Sequence, residues 1–186
     1  YIHPDYLTSM NDAFHAGVKM AKGYNNAKNI DENVITCISG LWYIRDSRFT
    51  CQARSALGLS QVLTGAGMMF SAELVKKNGG WNYLGYSEDA EFSLEELLEG
   101  TKSEYVSNAI VYEDQPTTLK DTFRRNTRMG HGLIRVFKKQ GMRCLGKFFK
   151  TGKFRYLDMF LTELFIPITV LCCTWLPLYY IYALTY

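Results

Sequence analysis

What this sequence of 186 residues lacks narrows it first. It opens at Tyr1 with no Met and no signal peptide. Tyr1–Leu7 reads as the interior of a longer chain, so a fragment is expected. The five cysteines, at 37, 51, 144, 172 and 173, show neither zinc-site spacing nor a secreted disulfide framework. They are expected as reduced thiols in packing roles. His3, His15 and His131 have no metal-ligand spacing either. There is no internal repeat and no low-complexity tract, and residues 164–186 contain no charged side chain.

The charges that are present are unevenly placed. Residues 120–157 hold twelve Lys and Arg against one acid, Asp121, a local balance of +11, which leaves −8 for the remainder of a chain whose net charge is +3. Basic density of this kind faces phosphate, nucleic acid or an anionic membrane surface. The uncharged run that follows favours the membrane. About 20 apolar residues span a bilayer as a helix, Tyr and Trp suit the headgroup boundary, and Pro167 and Pro177 are tolerated in such helices. A transmembrane helix over 161–186 is therefore expected, with a buried core helix as the plainer alternative. The positive-inside rule then places the preceding domain in the cytoplasm, at a plasma or inner membrane. Nucleic acid is not expected as a partner, because the basic run adjoins a hydrophobic span and contains no recognition module.

Hydrophobic spacing divides the rest. Tyr6, Leu7, Met10, Phe14, Val18 and Met20 predict a helix over Pro4–Ala21, closed by turn chemistry at Gly23–Asn26. Asn33–Tyr43 fits a strand or a helix start, and Arg48–Leu63 reads as irregular or helical. Met68–Ala72 predicts a short buried strand and Glu73–Asn78 a helical turn. Ser87–Gly100 predicts a helix, with Ser87 as N-cap, Asp89 and Glu91 in the first turn, acids on its outer side and Gly100 at its end. Tyr105–Tyr112 predicts a strand and Thr117–Lys139 a long helix with a basic side. Over Lys147–Glu163, aromatics (Phe148, Phe149, Phe154, Tyr156) alternate with Lys and Arg, as in a helix lying in a membrane interface. The fold class is α/β. Three parts are expected: a domain over 1–118, a basic helical and interfacial segment over 119–160, and the spanning helix over 161–186.

Three patches could carry chemistry, and each has a plain structural reading. Ser87-Glu88-Asp89 heads a helix, where acids are favoured by the dipole alone. A carboxylate there could also act as a general base. Arg125 and Arg128 share a helix face and could clamp a diphosphate bidentately, or form a solvated basic face. Thr64-Gly65-Ala66-Gly67 lets backbone approach a ligand, yet Gly-rich turns before strands are common.

Taken in order, these patches form a more specific pattern. A Gly loop is followed by Gly79-Gly80-Trp81, Ser87-Glu88-Asp89, Tyr112–Thr118, then Arg125-Asn126-Thr127-Arg128-Met129 with Gly132, and last the apolar run. This resembles the membrane-bound family 2 glycosyltransferases, the group that includes cellulose, chitin and hyaluronan synthases, across essentially the whole chain. Ser87-Glu88-Asp89 stands in the place of the group's Thr-Glu-Asp, and Arg125–Met129 in the register of its Gln-x-x-Arg-Trp. Ile2–Leu7 looks like the stretch that follows the group's Asp-x-Asp.

The resemblance implies a partial GT-A-type (Rossmann-like) domain that transfers a sugar, with inversion, from a nucleotide-sugar donor to a glycan or lipid-linked acceptor at the cytoplasmic membrane face. Asp89 would deprotonate the acceptor hydroxyl and Glu88 would orient the loop or acceptor. Arg125 and Arg128 would bind the donor diphosphate, with Arg128 neutralising it as it leaves. Gly65, Ala66, Gly67, Trp81 and Met129 would border the acceptor. Here Arg125 replaces Gln, and Met129 replaces the Trp that offers a flat stacking face, a role left to Trp81 or Phe123. The group holds Mg²⁺ or Mn²⁺ through its Asp-x-Asp, as hard oxygen ligands allow. That motif does not occur here, so the metal ligands are expected outside this chain, which by itself is expected to bind donor poorly and be inactive. A polyprenyl-phosphate acceptor is one alternative, and a non-catalytic membrane-anchored scaffold is another.

Overall fold

The computed structural model describes residues 1–185 apart from Thr64, and not the side chains of Ile166, Val170, Cys173, Thr174 and Thr185. It is a mixed α/β structure built on a three-stranded sheet. The central strand β1 (Met20–Ala27) pairs antiparallel with β2 (Met68–Phe70) on one side and parallel with β3 (Ser103–Glu113) on the other.

Strand β1 corrects the sequence-based expectation most. The predicted helix ends early: α1 covers Tyr6–His15, and Gly17 leaves it with a positive φ of 96°. Met20 and Ala21 are fully buried in β1, and Gly23–Asn26, expected as a turn, continue the strand. Local Gly/Asn turn preference loses here to hydrogen bonding from both sides. Lys22 is buried as well, and its ammonium meets Asp46 at 3.1 Å. Burial opposes the charge of Lys22, but Asp46 and Cys51 beside it raise its pKa above the ordinary value.

The β1–β3 register slips between Gly23 and Tyr24, which pair with Val106 and Ile110, so β3 carries a bulge over 107–109. Gly23 is required by this approach, since a Cβ would run into the Ala109 carbonyl.

Helix α2 (Val34–Arg45) settles the open reading of 33–43. Asn33 accepts from the amides of Ile35 (2.9 Å) and Thr36 (3.1 Å), and the Thr36 hydroxyl accepts from the Asn33 amide, which completes a capping box. A π-helical turn over 46–51 and the short α3 (Gln52–Ala56) follow, and then α4 (Ala72–Lys77).

Helix α5 (Glu88–Glu99) forms as expected and ends at Gly100 with φ 106°. Its acids do not all face water, however. Glu91 and Glu96 are buried, Glu91 against Lys139 and Glu96 against Asn78 (2.9 Å) and Thr101 (3.3 Å). Phe92 packs with Met20, Leu63 and Leu74, while Ala90, Leu94, Leu97 and Leu98 pack with Val136, Cys144, Tyr156 and Met159.

After β3 come α6 (Leu119–Val136), a π-helical turn over 137–141, α7 (Met142–Thr151) and α8 (Phe154–Thr185). The aromatic stretch 147–163 is thus two helices, and only part of it is free. Phe149 and Phe154 are exposed, whereas Phe148 packs on the core and Tyr156 is buried.

Helix α8 runs through the boundary expected at 160/161, and its first turns, including Met159 and Glu163, belong to the core. The expected transmembrane helix is corrected: among the described residues, no helix is long and apolar enough to cross a membrane. Prolines at 167 and 177, Trp175 and Tyr179, Tyr180 and Tyr182 dilute the aliphatic content of α8. Ile166, Val170, Cys173, Thr174, Thr185 and Tyr186, which also fall in that expected span, lie outside the described residues. From Phe165 onward the described large apolar side chains of α8 are exposed.

Gly23→Ala tests the β1–β3 approach. It should destabilise the chain by about 1–3 kcal/mol through overpacking against backbone, read as a lower urea midpoint at unchanged slope.

Candidate active site

Three segments far apart in sequence meet at the first turn of α5. Its N-cap position, Ser87, makes no side-chain capping bond. It is buried because α6 crosses it at Gly132, where an added Cβ would clash with the Ser87 hydroxyl and lie 3.1 Å from its Cβ. Gly132 therefore sets how closely the basic helix approaches the acidic one.

Two residues further on, Asp89 is partly buried. Its Oδ2 accepts the Gly65 amide at 2.5 Å and its Oδ1 accepts the Ala90 amide at 2.8 Å. The Gly65 loop is itself held from the other side. The Gly23 amide donates to the Gly67 carbonyl (2.7 Å), and the Asn25 side-chain amide donates to the Ala66 carbonyl (3.2 Å). Gly67 has φ 71° and fits against Val111, so the turn needs glycine there. Gly65 thus edges the site, while Ala66 and Gly67 tie it to the sheet.

Burial raises the Asp89 pKa above the ordinary carboxylate value; the two amides pull it back, and the neighbouring Glu88 adds to the rise. The result is a carboxylate fixed in position and more basic than one in water. Glu88 sits beside it, partly buried.

The two arginines part company. Arg125 donates to the Gln115 side chain at 2.8 Å and to the Tyr43 hydroxyl at 3.0 Å, and that hydroxyl donates to Glu113 at 2.6 Å. Its fork is committed to joining α6, α2 and the end of β3. Arg128 is exposed, and among the described residues no carboxylate pairs with it; its guanidinium lies 5.9 Å from the ring centre of Tyr86. Tyr86 immediately precedes the Ser-Glu-Asp run, so this contact sets Arg128 beside the turn that carries Asp89.

Trp81 lies in an aromatic cluster, stacked on Phe70 at 5.5 Å and against Tyr83 and Phe92, each at 5.2 Å. It is packed into the core margin rather than offered as an open face. Met129, 41% exposed, and Phe123, 75% exposed, lie on α6. Tyr86, also largely exposed, was missed from the sequence; an aromatic two positions before an acid pair at a helix start was the available signal. Among the described residues, no group of three or more His, Cys, Asp or Glu could hold a metal ion.

A carboxylate oriented by backbone amides, with an unpaired guanidinium nearby, suits proton removal from a hydroxyl beside a departing anion. The sequence profile of Glycosyl transferase family group 2 matches residues 1–186.

The chain belongs to that family. Family membership makes it a transferase that moves a sugar from a nucleotide-sugar donor to an acceptor. No curated protein matches the sequence. In this glycosyltransferase the Gly loop, the head of α5 and the middle of α6 converge, whereas Arg125 and Trp81 are drawn into the framework.

The two arginines should separate in a stability assay. Arg125→Ala removes the donor to the Gln115 side chain and the Tyr43 hydroxyl and should cost about 1–3 kcal/mol, while Arg128→Ala should leave the denaturation midpoint almost unmoved.

Proposed function

We propose that the chain carries the acceptor side of an inverting sugar transfer, with Asp89 as the general base. The observation that carries this is the Asp89 carboxylate, held by the Gly65 and Ala90 amides beneath the helix that presents Arg128. Asp89 takes the proton of the acceptor hydroxyl, and the oxygen attacks the anomeric carbon from the face opposite the leaving diphosphate. Arg128 meets the charge that develops on that diphosphate, where a preorganised cation acts most strongly. Glu88 orients the acceptor or the loop, Met129 and Tyr86 border the acceptor, and Gly65 lines its approach. A GT-A-type core is part of this reading, supported by the parallel β1–β3 pair and the helices around it. The described residues do not fit a Mg²⁺ or Mn²⁺ site; such an ion is proposed to take its ligands outside this chain, and no step here runs through it.

The acceptor is proposed to be a glycan or a lipid-linked sugar at the cytoplasmic face of a membrane. Exposed Phe149 and Phe154 beside Lys150 and Lys153, and the exposed apolar side chains of α8, support contact with an anionic lipid surface. Met129 in place of an aromatic platform favours the lipid-linked acceptor as the second reading.

In the full-length protein, Asp89→Asn should lower transfer by about 10²–10⁴-fold, measured with labelled donor, and unchanged transfer would remove Asp89 as base. Arg128→Ala should lower kcat by about 10²–10³-fold. Because the Asp89 pKa is raised, the rate should fall on acidification at a pH above that which protonates an exposed aspartate. Vesicles containing phosphatidylserine should co-sediment the protein at low salt and release it as salt rises; equal recovery with neutral vesicles contradicts the anionic-surface reading.

A further inference from the structure

Helix α2 is built inside out. The side it lays on the sheet is small and polar: Thr36 and Gly40 are buried, with Gly40 against Ala27 and Ile30, and Tyr43 reaches Glu113 at 2.6 Å. Its large apolar side chains are left in water. Val34, Ile38, Leu41 and Trp42 are between 56% and 72% exposed. A helix at a protein surface ordinarily turns such residues inward, and an apolar stripe on the outer side marks an interaction site.

The stripe is continuous. Val34, Ile38, Leu41 and Arg45 follow one another at steps of four, three and four residues, the spacing of a seam between two paired helices. Trp42 flanks the seam and carries the Arg45 guanidinium 4.1 Å from its ring centre. Charge is divided between the ends. Asp31 and Glu32 stand exposed just before the helix, and Arg45 is exposed at its last residue. Among the described residues, no carboxylate pairs with Arg45 and no cation pairs with Asp31 or Glu32.

Such a stripe complements itself when turned end for end. With Ile38 opposite Leu41 of a second copy, Cys37 falls opposite Trp42 and Val34 opposite Arg45. Each Arg45 then lies within a turn of Asp31 and Glu32 of the other copy. A bilayer fits less well, because an anionic headgroup layer that attracts Arg45 repels the two acids at the other end of the same stripe.

We propose that this stripe of α2 is a self-association surface, on which two copies of the chain pair antiparallel about a two-fold axis. Apolar side chains fill the middle and opposite charges close both rims, as in other protein interfaces. Tyr43 of the same helix accepts from Arg125 at 3.0 Å, so pairing also braces the helix that presents Arg128. None of this depends on Asp89 as the base. A pair of 12-residue helices is a small contact, and the association is weak, with a Kd roughly micromolar.

The test is the mass of the full-length protein in sedimentation velocity over roughly 1–100 µM. Wild type should pass from one-chain to two-chain mass. Ile38→Asp, which sets an unpaired charge in the middle of the seam, should raise the Kd by about 30-fold or more. Arg45→Glu should weaken the pairing as well, and so should Asp31→Lys combined with Glu32→Lys. Mixing the last two variants should restore the two-chain mass, because each then meets the opposite charge at both rims. All four positions are exposed, so these changes leave the fold intact. A one-chain mass for wild type throughout overturns the proposal, as does a two-chain mass that ignores the substitutions or a mixture that stays apart. One-chain mass with loss of vesicle binding in Ile38→Asp assigns the stripe to lipid instead. One-chain mass with a lowered denaturation midpoint in Ile38→Asp assigns it to another part of the same protein.

Discussion

Almost everything in this structure depends on α5 having no free side. A helix buried on several faces cannot leave its polar groups unmatched, and α5 is rich in acids. Most of them are answered by another element. Lys139 meets Glu91, Asn78 and Thr101 meet Glu96, and Arg143 forms a two-point contact with Glu95 at 2.7 and 2.9 Å. That contact holds the Glu95 pKa below the ordinary value. The basic composition of the 137–141 turn and of α7 is thus partly structural, because Lys139 and Arg143 are tied to the acids of α5. Asp89 is the exception. Its partners are amides rather than cations, which leaves it ionisable and open to a substrate.

This explains which parts of the molecule could be read from the sequence and which could not. Helix α5 and strands β2 and β3 were legible because their signals are local: a bounded apolar period, a Gly stop and a β-rich run. Strand β1 was not, since Lys22, Gly23, Asn25 and Asn26 all disfavour a strand until β2 and β3 flank it. The apolar run after Leu164 read as a spanning helix because its charge-free length is conspicuous; the helix that forms begins ten residues earlier, is anchored by buried Met159 and Glu163, and carries tyrosines and prolines in its outer half.

The site was legible in outline and not in detail. Order along the chain linked the Gly loop, Asp89 and Arg128, and those three do lie around one turn of helix. Sequence spacing also paired Arg125 with Arg128, since residues three apart share a face. What spacing could not show was that Gln115 and Tyr43 reach one guanidinium and not the other. Nor could it show that Glu163, on α8, is buried in the core. Side chains that matter through tertiary packing leave no mark at the level of motif.

The Gly65 amide has a consequence of a different kind. A hydrogen bond given by a main-chain N–H belongs to the peptide unit and not to the side chain, so it is nearly invisible to genetics. An alanine scan passes through position 65 with the donor intact, and only proline deletes it. The part of the site that aims Asp89 is therefore shielded from most single-codon change, while the carboxylate it aims is not.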